Sequence, residues 1–197
     1  MRIRVLTLSL ALVFLAVFLP DVTSQEKKSS GKRIFDWEKE GDAEGWTPIT
    51  FESEKKNYPF IKAVAQSDRK ANTGKGSLEI SIESSTEKFE AAGRAEKSFY
   101  AKPEDWSGYK KLTAKFYLTQ HSTYLEAYLA VQTGDKWNWY QGKSVEGKEE
   151  AWTEVSLDIS ESKDLDKVVA IHFILKSRIS GFTEKVYLDN VELHESP

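Results

Sequence analysis

Two tryptophans at alternate positions, Trp137 and Trp139, follow a Gly134-Asp135 dipeptide and the alternating stretch Tyr128-Leu129-Ala130-Val131-Gln132. Flat aromatic rings ringed by hydrogen-bonding side chains are the chemistry that holds a sugar, because its C–H face stacks on the ring and its hydroxyls meet the polar rim. Gly-Asp is tight-turn chemistry, so residues 127–141 read as a β-hairpin. Closing the hairpin on that dipeptide predicts Gln132 opposite Trp137, Ala130 opposite Trp139 and Tyr128 opposite Gln141. Glu126 shares their face. Leu129, Val131, Asn138 and Tyr140 take the other face, with Tyr140 toward the core, and a slip of one residue would exchange the two faces. Exposed aromatic patches mark interaction sites. The competing reading tucks one of the tryptophans under a loop to complete the core. The candidate ligand-binding residues are therefore Trp137, Trp139, Tyr128, Gln132, Glu126 and Gln141.

Catalytic chemistry is poorly supplied. A glycoside hydrolase needs two carboxyl groups facing each other across a cleft. Glu126 is the acid placed on the hairpin face, and Glu79 is a possible partner from another strand. The chain has no Glu-x-Asp-x-x-Glu strand, no Gly-x-Ser-x-Gly elbow and no His-Glu-x-x-His pair. Three histidines, His121, His172 and His194, offer little for a zinc or triad site. His172 falls in an apolar strand on the phase opposite Ile171 and Phe173, which suits a satisfied buried histidine. The expectation is a protein that is not an enzyme.

The elements that must carry the tryptophan face are strands. Residues 34–38 alternate. Leu78, Ile80 and Ile82 point one way while Glu79 and Ser81 point the other. Leu112, Ala114, Phe116 and Leu118 alternate with Thr113, Lys115, Tyr117 and Thr119. Residues 124–133 and 137–141 form the hairpin, Val155, Leu157 and Ile159 point inward, 168–176 is almost continuously apolar, and 185–193 closes the chain. No helix-period stretch of useful length occurs, and 161–167 is the best place for a short helical turn. Eight or nine strands at this spacing predict an all-β fold, a two-sheet antiparallel jelly-roll β-sandwich. Trp37, Trp46 and Trp106 are expected in the core, and Trp152 at a strand edge.

Arg2 and Arg4 precede an apolar run from Val5 to Leu19, closed by Pro20 and the small residues of Val22-Thr23-Ser24. This is the pattern of a cleaved signal peptide over 1–24, shorter than the ~20 apolar residues a bilayer span needs. A secreted or periplasmic protein without stable membrane insertion after cleavage is expected. Residues 25–33 are a polar, disordered tether and 34–195 one binding domain. With no cysteine, neither a disulfide nor a lipid-anchored cysteine is available, so the core alone must hold the domain. The formal charge of −3 gives no basic footprint for nucleic acid.

Phe35-Asp36-Trp37-Glu38, Gly45-Trp46, Gly74-Lys75-Gly76-Ser77-Leu78, Asp105-Trp106-Ser107-Gly108-Tyr109, Ala151-Trp152-Thr153, Leu165-Asp166-Lys167-Val168, Ile171-His172-Phe173 and Val186-Tyr187-Leu188-Asp189-Asn190-Val191-Glu192-Leu193 occur in that order. Together they resemble the non-catalytic carbohydrate-binding modules of the galactose-binding-like β-jelly-roll superfamily, nearest to the family 11 glucan-binding and the mannan-binding modules. The family 11 pattern has an aromatic after the Ile-His-Phe, where this chain has Ile174-Leu175-Lys176. The resemblance implies a polysaccharide of β-glucan or mannan type as partner. It also implies a structural calcium ion, with Asp189 as ligand, Asp36 and Glu38 as the acidic positions of the first strand, and carbonyl oxygens from 71–75. Taken as residues alone, Asp36 and Glu38 read equally well as solvated strand-edge groups. An alternative function uses the same sandwich, as in complex I intermediate-associated proteins, for assembly or protein–protein contact in the envelope without sugar.

Overall fold

The computed structural model describes residues 31–49, 60–84, 91–119 and 124–195. The expected signal peptide and most of the expected tether lie outside the described residues, as does His121. Twelve strands are found among them: β1 (Lys32–Phe35), β2 (Trp46–Pro48), β3 (Ile61–Ser67), β4 (Ser77–Glu83), β5 (Ala91–Ser98), β6 (Lys111–Leu118), β7 (Leu125–Thr133), β8 (Asn138–Gln141), β9 (Val145–Glu146), β10 (Trp152–Asp158), β11 (Val168–Ser177) and β12 (Thr183–His194). A 3-10 turn at Leu165–Lys167 falls inside the segment expected to be helical.

The strands form two antiparallel six-stranded sheets. Sheet A runs β10-β6-β12-β4-β3 with β1 added on β12, and sheet B runs β2-β5-β11-β7-β8 with β9 added on β7. Their inner faces make one sandwich core, as the alternation predicts. Leu78, Ile80 and Ile82 of β4, Leu112, Ala114, Phe116 and Leu118 of β6, and Val155 and Leu157 of β10 all face it. From sheet B come Leu125, Ala127, Leu129 and Val131 of β7 and Ile171, Phe173 and Leu175 of β11. Trp37, Trp46 and Trp106 are buried there as expected.

β11 is central in sheet B, held between β5 and β7, and all but one of its residues are buried. Such a strand reads as a continuous apolar run because both of its faces are covered. β1 begins at Lys32, two residues ahead of the expected start, and ends at Phe35 because Trp37 takes a left-handed φ of 51° that no strand continues.

Candidate functional site

The 7–8 hairpin turns over four residues, and the expected two-residue closure is corrected here. Gly134 takes φ 68° and Trp137 φ 52°, and the Trp137 N–H donates to the Gly134 carbonyl at 3.2 Å. The Gly134 N–H donates in turn to the Lys167 carbonyl at 2.8 Å, which ties the hairpin tip to the 3-10 turn. The pairing is Thr133 with Asn138, Gln132 with Trp139, Val131 with Tyr140 and Ala130 with Gln141. This register differs from the expected one by two residues. An even slip leaves every side chain on its face, so Tyr128, Ala130, Gln132, Trp139 and Gln141 share the outer face of sheet B, while Tyr140 packs against the core.

Pairing of β11 with both neighbours fixes what else lies on that face. His172 sits between Glu96 of β5 and Ala130 of β7, and Ile174 between Arg94 and Tyr128. Ala130 is small, so the Trp139 indole lies across it and reaches His172, ring centroids 4.8 Å apart and 30° from parallel. Ile174, Tyr128 and Ala130 form a small apolar cluster on this outer face, and Trp139 packs against it. The Arg94 guanidinium is 5.7 Å from the Trp139 ring, within reach of a cation–π attraction. Trp139 Nε1 donates to Gln141 Oε1 at 2.9 Å, which holds the indole half-buried with its ring plane set.

Beneath the indole is a buried polar triad. Arg94 pairs with Glu96 at 3.3 Å, and the Glu96 carboxylate lies 3.6 Å from His172 Nδ1. His172 is fully buried, and neither of its ring nitrogens has a hydrogen-bond partner among the described residues. The satisfied histidine expected from the sequence is thus corrected. Burial, and then the positive charge of Arg94, push the His172 pKa well below its ordinary value, so the ring is neutral at pH 7.

That shift carries a sign. The unfolded chain takes up a proton on His172 below about pH 6.5, whereas the folded state refuses it. Stability is therefore expected to fall as pH drops from about 6.5 toward 5, by about 1.4 kcal/mol per unit. His172→Gln should flatten that slope, measured as urea midpoints at pH 7.0, 6.0 and 5.5. Parallel wild-type and variant curves would show that His172 does not set it.

Trp137 has left the strand. It is 52% exposed at the turn and stacks on Tyr100, centroids 5.2 Å apart and 19° from parallel. The Tyr100 hydroxyl donates to Gln132 Oε1 at 3.2 Å. The two tryptophans thus stand in separate stacks, one at the rim on Tyr100 and one over His172. Tyr128 is buried with Lys176 Nζ 4.8 Å from its ring centroid. Glu126 is engaged by Arg178. Glu79 lies on β4 in sheet A, where it accepts from Lys185 Nζ at 2.6 Å, so it cannot face Glu126 across a cleft.

Arg94, Glu96 and Tyr100 were not singled out from sequence. The signal for the first two is the alternation Gly93-Arg94-Ala95-Glu96, whose inward side is only glycine and alanine and so has little hydropathy contrast.

The carboxylates assigned to calcium by resemblance do not converge. Among the described residues no three Asp, Glu, His or Cys side chains are grouped to hold a metal. Asp189 Oδ2 accepts from the backbone N–H groups of Asn72 at 2.7 Å and Thr73 at 3.1 Å, and its Oδ1 from that of Asn190 at 2.6 Å. The Glu38 carboxylate accepts from the Lys75 N–H at 2.9 Å and the Gly76 N–H at 3.4 Å. Gly74 at φ 69° permits that approach, since a Cβ there would meet Glu38 Oε1 at 2.0 Å. Asp36 Oδ1 accepts from the Glu38 N–H at 3.3 Å. Calcium takes six to eight oxygen ligands. The turn at 71–75, expected to offer carbonyl oxygens, and Gly76 after it meet the Asp189 and Glu38 carboxylates with N–H donors, and this donor set does not fit the ion.

No helix among the described residues is long and apolar enough to cross a membrane. Among solved structures, the fold is similar to a carbohydrate-binding module of the β-sandwich superfamily (TM-score 0.61, 16% identity, 84% of this chain) of which this chain spans 63%. It is also similar to the CBM27-1 module of Caldicellulosiruptor saccharolyticus in complex with mannohexaose (TM-score 0.57, 17% identity, 77% of this chain and 90% of that one). A third is the family 11 module of Clostridium thermocellum in complex with a β-1,3-1,4-mixed-linked tetrasaccharide (TM-score 0.55, 18% identity, 83% and 95%). No curated protein matches. The family described as mannanase, galactose-binding domain-like matches residues 35–190, and with nearly the whole sandwich inside that match, the chain belongs to this galactose-binding-like domain family.

Proposed function

We propose that the protein is a secreted, non-catalytic polysaccharide-binding protein that takes a mannan or β-glucan chain on the outer face of sheet B. The observation that carries this is the Trp139 indole, laid across Ala130 onto His172 in a fold shared with modules solved in complex with mannohexaose and with a mixed-linked tetrasaccharide. Trp139 supplies the stacking surface for the apolar face of a sugar ring, and Trp137 on Tyr100 supplies a second at the rim. Gln132 and Gln141, each already fixed by one hydrogen bond to an aromatic side chain, keep donor capacity for ring hydroxyls. The Arg94–Glu96–His172 triad lies under the indole and positions it.

Affinity electrophoresis and calorimetry against mannan, mixed-linked β-glucan, xylan and cellulose test the proposal. Retention by mannan or by mixed-linked β-glucan is the expected result, with no reducing ends released on long incubation. Failure to bind any of the four would overturn it.

A further inference from the structure

The outer side of sheet A holds a second polar assembly, remote from the tryptophan face. β12 bulges between Asp189 and Glu192 in its pairing with β6, and Asn190 takes a left-handed φ of 51°. The bulge buries the Asp189 carboxylate completely. Burial raises its pKa, and the three backbone N–H bonds together with the charge of Arg33 oppose that rise.

Arg33 comes from β1, where its register partner is Glu192, and acts on this carboxylate through its charge. Its Nε and one terminal nitrogen donate to Glu192 Oε1 at 3.2 and 3.0 Å. The other terminal nitrogen donates to Thr73 Oγ1 at 3.0 Å. The Asn190 amide oxygen faces the guanidinium, because a donor in that place would confront another donor, and its amide nitrogen is then 3.2 Å from Asp189 Oδ2. One guanidinium therefore joins β1, the 71–76 turn and the β12 bulge around a buried carboxylate.

We infer that Arg33 is the resident cation of this clasp and that the fold needs no calcium at Asp189. A calcium ion there would sit beside a guanidinium and face N–H donors at both carboxylate oxygens. Both contacts repel it. Guanidinium, by contrast, is always charged and presents several donors in a fixed plane, which matches the acceptors of Glu192, Thr73 and Asn190.

The test is thermal melting of the whole protein in excess chelator and in millimolar calcium, with Arg33→Met and Arg33→Lys beside the wild type. A ligand that binds only the folded state must raise the melting temperature, so the wild-type value is expected to be the same in both buffers. Arg33→Met is expected to melt at least about 3 °C lower, and Arg33→Lys, which keeps the charge and loses the fork, between the two. A fall in chelator or a rise in calcium for the wild type overturns the inference. So does an Arg33→Met protein that melts with the wild type. Should Arg33→Met fail to fold, the wild-type pair and Arg33→Lys still decide it. Sugar binding is not read in any arm, so the result is independent of the proposed function.

Discussion

Trp139→Ala is expected to weaken binding of the retained polysaccharide by about 30-fold or more, the factor that corresponds to about 2 kcal/mol at a binding hot spot. Three contacts fix the indole in place before any ligand arrives: His172 below, the Arg94 guanidinium beside it, and Gln141 on its N–H. A side chain held in its bound geometry gives up little rotamer freedom on binding, so nearly all of its stacking area counts toward affinity. Trp137→Ala should cost less, about 3- to 10-fold, because that ring stands 52% exposed at the rim, where contacts are worth less than at a desolvated centre. Calorimetric titration of the three proteins decides between these effects, with circular dichroism to show that each variant is folded. Wild-type affinity in Trp139→Ala would remove the platform from the proposal, and a larger loss in Trp137→Ala would move the site to the hairpin tip.

The ordering of those two tryptophans marks how far the sequence can be read. Trp139 falls on the expected face of the hairpin because the face of a strand residue depends only on whether its offset is odd or even. The turn missed by two residues and kept the face. What local pattern does not encode is that Trp137 takes a left-handed backbone and leaves the strand, since that conformation suits glycine far better than tryptophan. Strands with strong inward side chains, such as β4 and β6, are visible from alternation alone. β5 is not, because its inward residues Gly93 and Ala95 are too small to stand out. The triad under Trp139 was invisible for a second reason. Arg94 and Glu96 meet His172 only through the long-range pairing of β5 with β11, and no spacing along the chain reports such a contact. Asp189 shows the same division: the Asp-Asn-Val segment marks it as a residue of interest, while Arg33, which holds the clasp around it, comes from the far end of the domain.

Arg94→Met is expected to destabilise the protein by about 3 kcal/mol or more, the usual cost of removing one member of a buried ion pair. That corresponds to roughly 6–12 °C in melting temperature for a domain of this size. Arg94 and Glu96 are each 5% exposed at the side chain, so water cannot replace the guanidinium that faces the carboxylate. The loss should also depend on pH. Arg94 is one of the two causes that hold His172 neutral, after burial, and Glu96 lies 3.6 Å from the His172 ring. With the guanidinium gone, protonated His172 can pair with Glu96, and the part of its pKa depression that Arg94 causes is relieved. The deficit of Arg94→Met relative to wild type should therefore shrink as pH falls from 7.5 to 5.5, where the wild type itself loses stability. The double variant Arg94→Met/Glu96→Leu removes both charges and should recover much of the single-variant loss at pH 7.5, because a buried pair replaced by apolar groups of similar volume is often neutral. Urea unfolding of the three proteins at both pH values reads all of this at once. A deficit independent of pH, with no recovery in the double variant, would mean that Arg94 acts through packing against Trp139 and not through its charge.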